Sequence, residues 1–198
     1  RRARASARQA FERFPAAELA LSTGVAGALD PGLAVGAAVL ADSVMTCHIE
    51  TGLPEHILEV AREPHDGMKA ALERAGRAFF SGTILTAKSP LATAEAKSRA
   101  AELTGAIAVD MESAAIAYEA AVKGIPFACL RTILDTAIED LPGASLADEN
   151  GRVRPFAAAH AIVTNPAIIT AGIRLLRNLK IAANAMGEAV AAAIKERD

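Results

Sequence analysis

The chain contains no tryptophan, a single tyrosine and only 4% aromatic residues, so large rings can build little of its core. Its two cysteines, Cys47 and Cys129, cannot form the disulfide framework of a small secreted protein. There is no CxxC pair, and His48, His56, His65 and His160 show neither HxxxH nor HExxH spacing, so no metal is assigned. Charge of one sign is also missing: 21 basic residues face 23 acidic ones, a net charge of −2. A nucleic-acid binder would normally carry a basic excess, and none is expected as a partner. No signal-peptide pattern is visible, so a reduced, cytoplasmic location is the default expectation.

What is present is apolar and small. Of 198 residues, 52% are hydrophobic and about a quarter are alanine, which excludes intrinsic disorder and favours helices. The length suits one compact domain, 1–198, with a sizeable core. The basic start RRARASAR reads as a solvated first helix in preference to a lipid-binding one. Between Arg154 and Arg174 lie 19 uncharged residues, the nominal length of a membrane span. However, His160 and the pair Asn165-Pro166 interrupt them. Proline after an asparagine cap starts a helix, so a long helix is expected from about Pro166 to Ile194. A transmembrane helix is not expected; a peripheral membrane contact stays open.

Elsewhere short apolar runs alternate with helical ones. Leu19–Thr23 reads as a buried strand entering a glycine-rich turn, and Val35–Val44 and Phe79–Leu85 read as two further strands. Thr93–Leu103 is helical with Gly105 as its stop; Ala106–Val109 is a strand; Met111–Lys123 is a helix stopped by Gly124; Pro126–Ile133 is a strand. Strand, helix, strand within this length predicts a βαβ crossover and therefore two parallel strands. The expected fold is α/β, a mixed central sheet with helices on both faces. Residues 142–157 are the most loop-like section.

Polar groups gather at predicted strand ends. Gly24–Gly27 follows the first strand, Asp110-Met111-Glu112 follows Val109, and Asp135 follows Ile133. Ligands of open α/β sheets bind outside the carboxyl ends of the strands, so parallel strands would aim these groups at one crevice. Local alternatives remain for each. The glycine segment is either a plain turn or a cradle of backbone N–H groups. Asp110 and Glu112 are either helix caps or ligand groups. Asp135 is either a loop residue or a buried acid.

The segments STGVAGALDPGLAVGAAVLAD (22–42), AIAVDMESAAIAYEAA (106–121) and IPFACLRTILDTA (125–137) resemble the signatures of the purine nucleoside phosphorylase/nucleosidase superfamily. Within it the chain is similar to bacterial methylthioadenosine/S-adenosylhomocysteine nucleosidases. It is closer still to hopanoid-associated phosphorylases, through VDMES, LRTILD and ENGRVRP (149–155). The resemblance implies a three-layer fold whose N-terminal strand this chain lacks. It also implies homo-oligomers and cleavage of the N-glycosidic bond of a 5′-substituted adenosine. By the closest resemblance the substrate is adenosylhopane, cleaved by phosphorolysis in hopanoid biosynthesis. The alternatives are hydrolysis of methylthioadenosine or S-adenosylhomocysteine and, in another class, nucleoside binding without catalysis.

The resemblance also distributes roles. Asp135, in Arg131-Thr132-Ile133-Leu134-Asp135, matches the acid that protonates purine N7; Leu134 stands where a serine is usual. Glu112 matches the carboxylate on the ribose hydroxyls, Met111 the thioether against the sugar face, and Asp110 is expected to be structural. Leu85 and Thr86 match the base-pocket positions, with leucine in place of a stacking phenylalanine. Ser22, Thr23, Gly24 and Val25 match the region of phosphate or attacking water. No cofactor is implied beyond inorganic phosphate as co-substrate of a phosphorylase. Cys129 is expected to be packing, and the uncharged run Pro155–Ile173 is a candidate apolar opening beside the ribose 5′ position.

Overall fold

The structure is a computed structural model and describes residues 2–48, 54–141 and 167–194. Its elements in order are α1 (Arg2–Arg13), β1 (Ala20–Ala28), β2 (Ala38–Cys47), β3 (Pro54–Glu59), α2 (Arg62–Arg74), β4 (Phe79–Thr86), α3 (Ala94–Thr104), β5 (Ala108–Asp110), α4 (Ser113–Lys123), β6 (Phe127–Asp135) and α5 (Ala167–Ile194). The fold is α/β with a mixed sheet, as expected. Strands β2 and β4, β4 and β5, and β1 and β6 pair parallel; β2–β3, β1–β5 and β2–β6 pair antiparallel. Because β2 bonds to both β4 and β6, the strands β2-β4-β5-β1-β6 close on themselves. The sheet is therefore partly barrel-like, not fully open.

Closure corrects two expectations. The predicted parallel pair β5 and β6 never meet: β1 lies between them, parallel to β6 and antiparallel to β5. The glycine segment is not a turn either. β1 runs through it as strand to Ala28, and the turn follows at Asp30, whose Oδ1 accepts from the Gly32 amide at 2.7 Å. The β1–β6 register shifts at this point: Ala26 faces Ile133 and Gly27 faces Asp135, so the extra residue, Leu134, is a bulge in β6.

Packing follows the alanine content. One core lies between the sheet and α4, where Ala114, Ala117 and Ala120 meet Ala20, Ala26, Phe127, Cys129 and Ile133. Small side chains let that helix approach the strands closely. On the other face, α2 and α5 cover Ala38, Leu40, Ala128 and Leu130 with Met68, Leu72, Ala189 and Ala193. Thr93 caps α3 by accepting from the Ala96 amide at 3.1 Å, and Gly105 ends it in a left-handed conformation.

The first helix is not merely solvated. Arg4 and Arg8 of α1 both grip Glu119 of α4, at 2.5 and 3.2 Å, and Arg4 lies 4.0 Å from the Tyr118 ring centroid. The two guanidiniums hold the Glu119 carboxyl below the usual carboxylate range. The long C-terminal helix is present as α5 from Ala167, while the Asn165-Pro166 cue itself lies outside the described residues. No helix among the described residues is long and apolar enough to cross a membrane. Residues 142–157, with ENGRVRP, and the larger part of the uncharged run fall outside the described residues.

Candidate active site

Gly27 is the hinge of the site. It pairs with Val109 of β5 on one side and Asp135 of β6 on the other. Two inter-strand spacings, roughly 10 Å, thus separate the backbones of Val109 and Asp135. A Cβ at Gly27 would sit 3.1 and 3.4 Å from the two Asp135 carboxylate oxygens and 3.3 Å from Val109 Cγ1. The absent side chain lets the carboxyl lie flat against β1. The end of β5, carrying Asp110-Met111-Glu112, and the end of β6, carrying Asp135, are brought together by this antiparallel contact. Three parallel strand ends are not what gathers them.

Asp135 is buried, and burial pushes its carboxyl above the ordinary range, helped by the nearby Glu139 carboxylate. Lys97 of α3 opposes this through a hydrogen bond and its charge, and Arg174 of α5 adds a weaker opposing charge. Lys97 Nζ is fully buried and 2.5 Å from Asp135 Oδ2. No signal in the sequence singled out Lys97, one of two cations, with Arg99, in the alanine-rich helix AEAKSRAAELT. Its one cue was spacing, because Lys97 and Ala100, i and i+3, share the buried face of α3.

Met111 and Glu112 are exposed, between buried Asp110 and buried Ser113. A methionine with 43% of its surface exposed is not core packing. Glu112 occupies the N-cap position of α4 but makes no capping bond, so its carboxylate is open to a ligand. Asp110 does the capping instead. It accepts from the Ser113 amide at 3.2 Å and from Thr86 Oγ1 at 2.7 Å, and pairs with Arg131 at 2.6 Å. It is structural, as expected.

Arg131 organises the layer underneath, a role its place in the LRTILD motif did not reveal. It donates to Ser113 Oγ at 2.7 Å and to Ser22 Oγ at 3.0 Å, so this buried ion pair is hydrogen-bonded on both partners. Gly24 makes room for it: a Cβ there would stand 2.2 Å from Arg131 Nη1. Ser22 is thus buried in this network, whereas Thr23 is exposed and Val25 half-buried. The edge of β1 beside Thr23–Val25 has no strand neighbour among the described residues.

The base-pocket positions differ from each other. Leu85 lies in a core cluster with Leu29, Met45, Leu91 and Val109, only 1% exposed, and shows no face to a ligand in this conformation. Thr86 is half-buried; its hydroxyl bonds Asp110 and accepts from the Ala114 amide at 3.0 Å. Cys129 is packing. Burial pushes its thiol up to about 11, and its sulfur sits 3.1 Å from Ser113 Oγ. A shallow hollow of about 210 Å³ opens at the opposite end of β6, lined by Leu58, Ala117, Ile125 and Phe127. It contains none of the groups above.

The closed mixed sheet flanked by helices thus carries acidic residues at two strand ends that meet through one glycine. The model of the Phosphorylase superfamily matches residues 3–165, and the chain belongs to that family, whose enzymes act on N-glycosyl bonds. Comparison with curated proteins gives no match. Among solved structures it is similar to the S-adenosylhomocysteine nucleosidase of Streptococcus pyogenes in complex with 5-methylthiotubericidin. The TM-score is 0.72 at 19% identity, covering 99% of this chain and 75% of the other. The 5′-methylthioadenosine/S-adenosylhomocysteine nucleosidase of Neisseria meningitidis, bound to methylthio-immucillin-A, gives 0.71 at 22% identity, over 98% and 75%. Futalosine hydrolase of Helicobacter pylori gives 0.73 at 18% identity, over 98% and 74%.

Proposed function

We propose that this chain releases adenine from a 5′-substituted adenosine by cleaving the bond between N9 and the ribose. The observation that carries the reading is a buried acid with raised pKa at the end of β6 and, two residues past the end of β5, an exposed carboxylate with no partner among the described residues, the two strands being joined through Gly27. Breaking the N-glycosidic bond sends electrons into the purine and leaves positive charge on the sugar. Asp135 delivers a proton to N7 as the base departs. Glu112 accepts hydrogen bonds from the ribose hydroxyls and stabilises the developing cation, and Met111 packs on the sugar face. Thr86 lies beside the base, and Leu85 backs it from the core.

The acceptor in this reading is inorganic phosphate and the 5′ group is lipid-like, as in adenosylhopane. Exposed apolar side chains support the second half. Ile138, three residues beyond Asp135, is 78% exposed, and Ile169 and Ile173 of α5 are exposed within the described part of the uncharged run. Arg174 donates to the Asp140 carbonyl at 3.1 Å, which holds that stretch of α5 beside the turn after Asp135. The phosphate would meet the open edge of β1 at Thr23–Val25. The similarity to S-adenosylhomocysteine and methylthioadenosine nucleosidases favours a second reading, hydrolysis of methylthioadenosine or S-adenosylhomocysteine. Purified protein is assayed for adenine release from adenosylhopane and methylthioadenosine, with and without phosphate. Phosphate-dependent turnover of adenosylhopane supports the first reading; phosphate-independent turnover of methylthioadenosine replaces it with the second. Adenosine binding without release from either substrate makes the chain a binding protein. Homo-oligomeric assembly and a cytoplasmic location belong to the same proposal.

A further inference from the structure

Lys97 is the least expected charge in the molecule, an ammonium with no exposed surface inside an alanine-rich helix. Its Nζ has three acceptors: Asp135 Oδ2 at 2.5 Å, the Thr136 carbonyl at 2.8 Å and the Glu139 carbonyl at 2.9 Å. Carbonyls only accept, and a neutral amine has two N–H bonds for these three sites. All three are satisfied only by the protonated form. The ammonium therefore ties α3 to the end of β6 and to the turn that follows it. Asp135 Oδ1 has no hydrogen-bond partner among the described residues, and Gly27 leaves both carboxylate oxygens lying against bare backbone.

We infer that Lys97 is a positioning residue for Asp135, holding Oδ2 as an acceptor so that the acidic proton resides on Oδ1. The inference rests on the reading of Asp135 as the acid. The carbonyl oxygen of a carboxylic acid accepts more strongly than its hydroxyl oxygen, so a bond from the ammonium to Oδ2 favours the tautomer with the proton on Oδ1. As the glycosidic bond breaks, its electron pair moves into the purine, N7 takes the proton from Oδ1, and the carboxylate left behind is stabilised by Lys97. The ammonium keeps its own three protons throughout. This reconciles an acid that must be protonated to act with a cation beside it. Burial and Glu139 favour the proton before transfer, while Lys97 and the more distant Arg174 favour its loss afterwards. His48, His56 and His65 take no part among the groups that act on Asp135.

The test replaces the ammonium by an apolar chain of similar length, Lys97→Met, and compares it with Asp135→Asn and the double variant. Folding is checked by thermal unfolding, and the kcat profile is followed across pH. Folded Lys97→Met should lose about 10²-fold in kcat with KM little changed, as when one oxyanion-type donor is removed. The limb on which activity falls with rising pH should move to higher pH, because the acid has lost its cation. In the Asp135→Asn background the same change should cost nothing further. An unmoved limb, or an equal loss in both backgrounds, would reduce Lys97 to a structural tie and overturn the inference. Should Lys97→Met fail to fold, the wild type decides through carbon NMR of the Asp135 carboxyl and nitrogen NMR of Lys97 Nζ. The Lys97 signal should stay that of an ammonium and report the Asp135 midpoint; a Lys97 signal blind to Asp135 contradicts the inference. Failure of wild-type protein to release adenine sinks the reading of the site instead, and the NMR coupling then still decides whether Lys97 governs Asp135.

Discussion

In the proposed reaction Asp135 serves two opposed demands: it must hold a proton in the resting site and surrender it as the base leaves. With its carboxyl raised by burial, the protonated form persists above the usual carboxylate range. The active form is the acid, so kcat should fall as pH rises through that raised value. A profile that instead rose with pH there would assign Asp135 the role of a base. Replacing it by asparagine keeps the size and removes the proton; the expected loss is ~10²–10⁴-fold in turnover with folding intact. Glu112→Gln should lower kcat by about 10²-fold, more than it raises KM, because a neutral amide still accepts one ribose hydrogen bond but no longer stabilises a cation. Both are read by adenine release under saturating substrate. Asp135, Glu112 and Met111 were legible in the sequence because they follow apolar runs and sit in a recognisable order. Lys97 was not, since its partners come from a strand end and a turn nearly 40 residues away, at |i−j| of 38 to 42.

At the scale of elements, the glycines of β1 are spacers. Gly24 admits the Arg131 guanidinium and Gly27 admits the Asp135 carboxyl. Gly27→Ala should therefore cut activity strongly while costing little stability, since the neighbours at 3.1 to 3.4 Å have to give by a few tenths of an ångström. Gly24→Ala should cost stability as well, measured by thermal unfolding, because at 2.2 Å a buried, fully engaged arginine has to move. The α1–α4 clamp makes a different prediction. Glu119 is held ionised by Arg8 and Arg4, so its contribution is present above its unfolded pKa and is lost as pH falls through the depressed folded value. Melting temperatures of Glu119→Gln should be lower than wild type at neutral pH and converge with it in acid. Capping residues and terminal glycines made α3, α4 and α5 readable to within one or two residues. β3 and α2 were not read from the sequence, because PEHILE and REPHDGMKAALER carry charge and proline in place of an apolar run, although α2 buries Met68, Ala71 and Leu72 on one face. The strand direction of β5 was misread because a three-residue strand carries too little pattern to show which neighbour it pairs with.

For the whole molecule, closure of the sheet is what converts separate strand ends into one site. β1 is parallel to one of its neighbours and antiparallel to the other, and its Gly27 pairs with Asp135 of β6 on one side and with Val109 of β5 on the other. Sequence order alone could not give that, since β1 runs through glycines that read as a turn and the register shift is a single residue, Leu134, in β6. The apolar surface at Ile138 and Ile173 makes a prediction at this scale. Ile138→Asp should raise KM for an adenosine with a long apolar 5′ group and leave methylthioadenosine kinetics unchanged. The claim on which the rest depends is that a nucleoside lies between Asp135 and Glu112 and loses its base there. Adenine release from a 5′-substituted adenosine, measured side by side for wild type and Asp135→Asn, tests it most directly. The account predicts release by the wild type and its near-complete loss in the variant; equal release by both would contradict it.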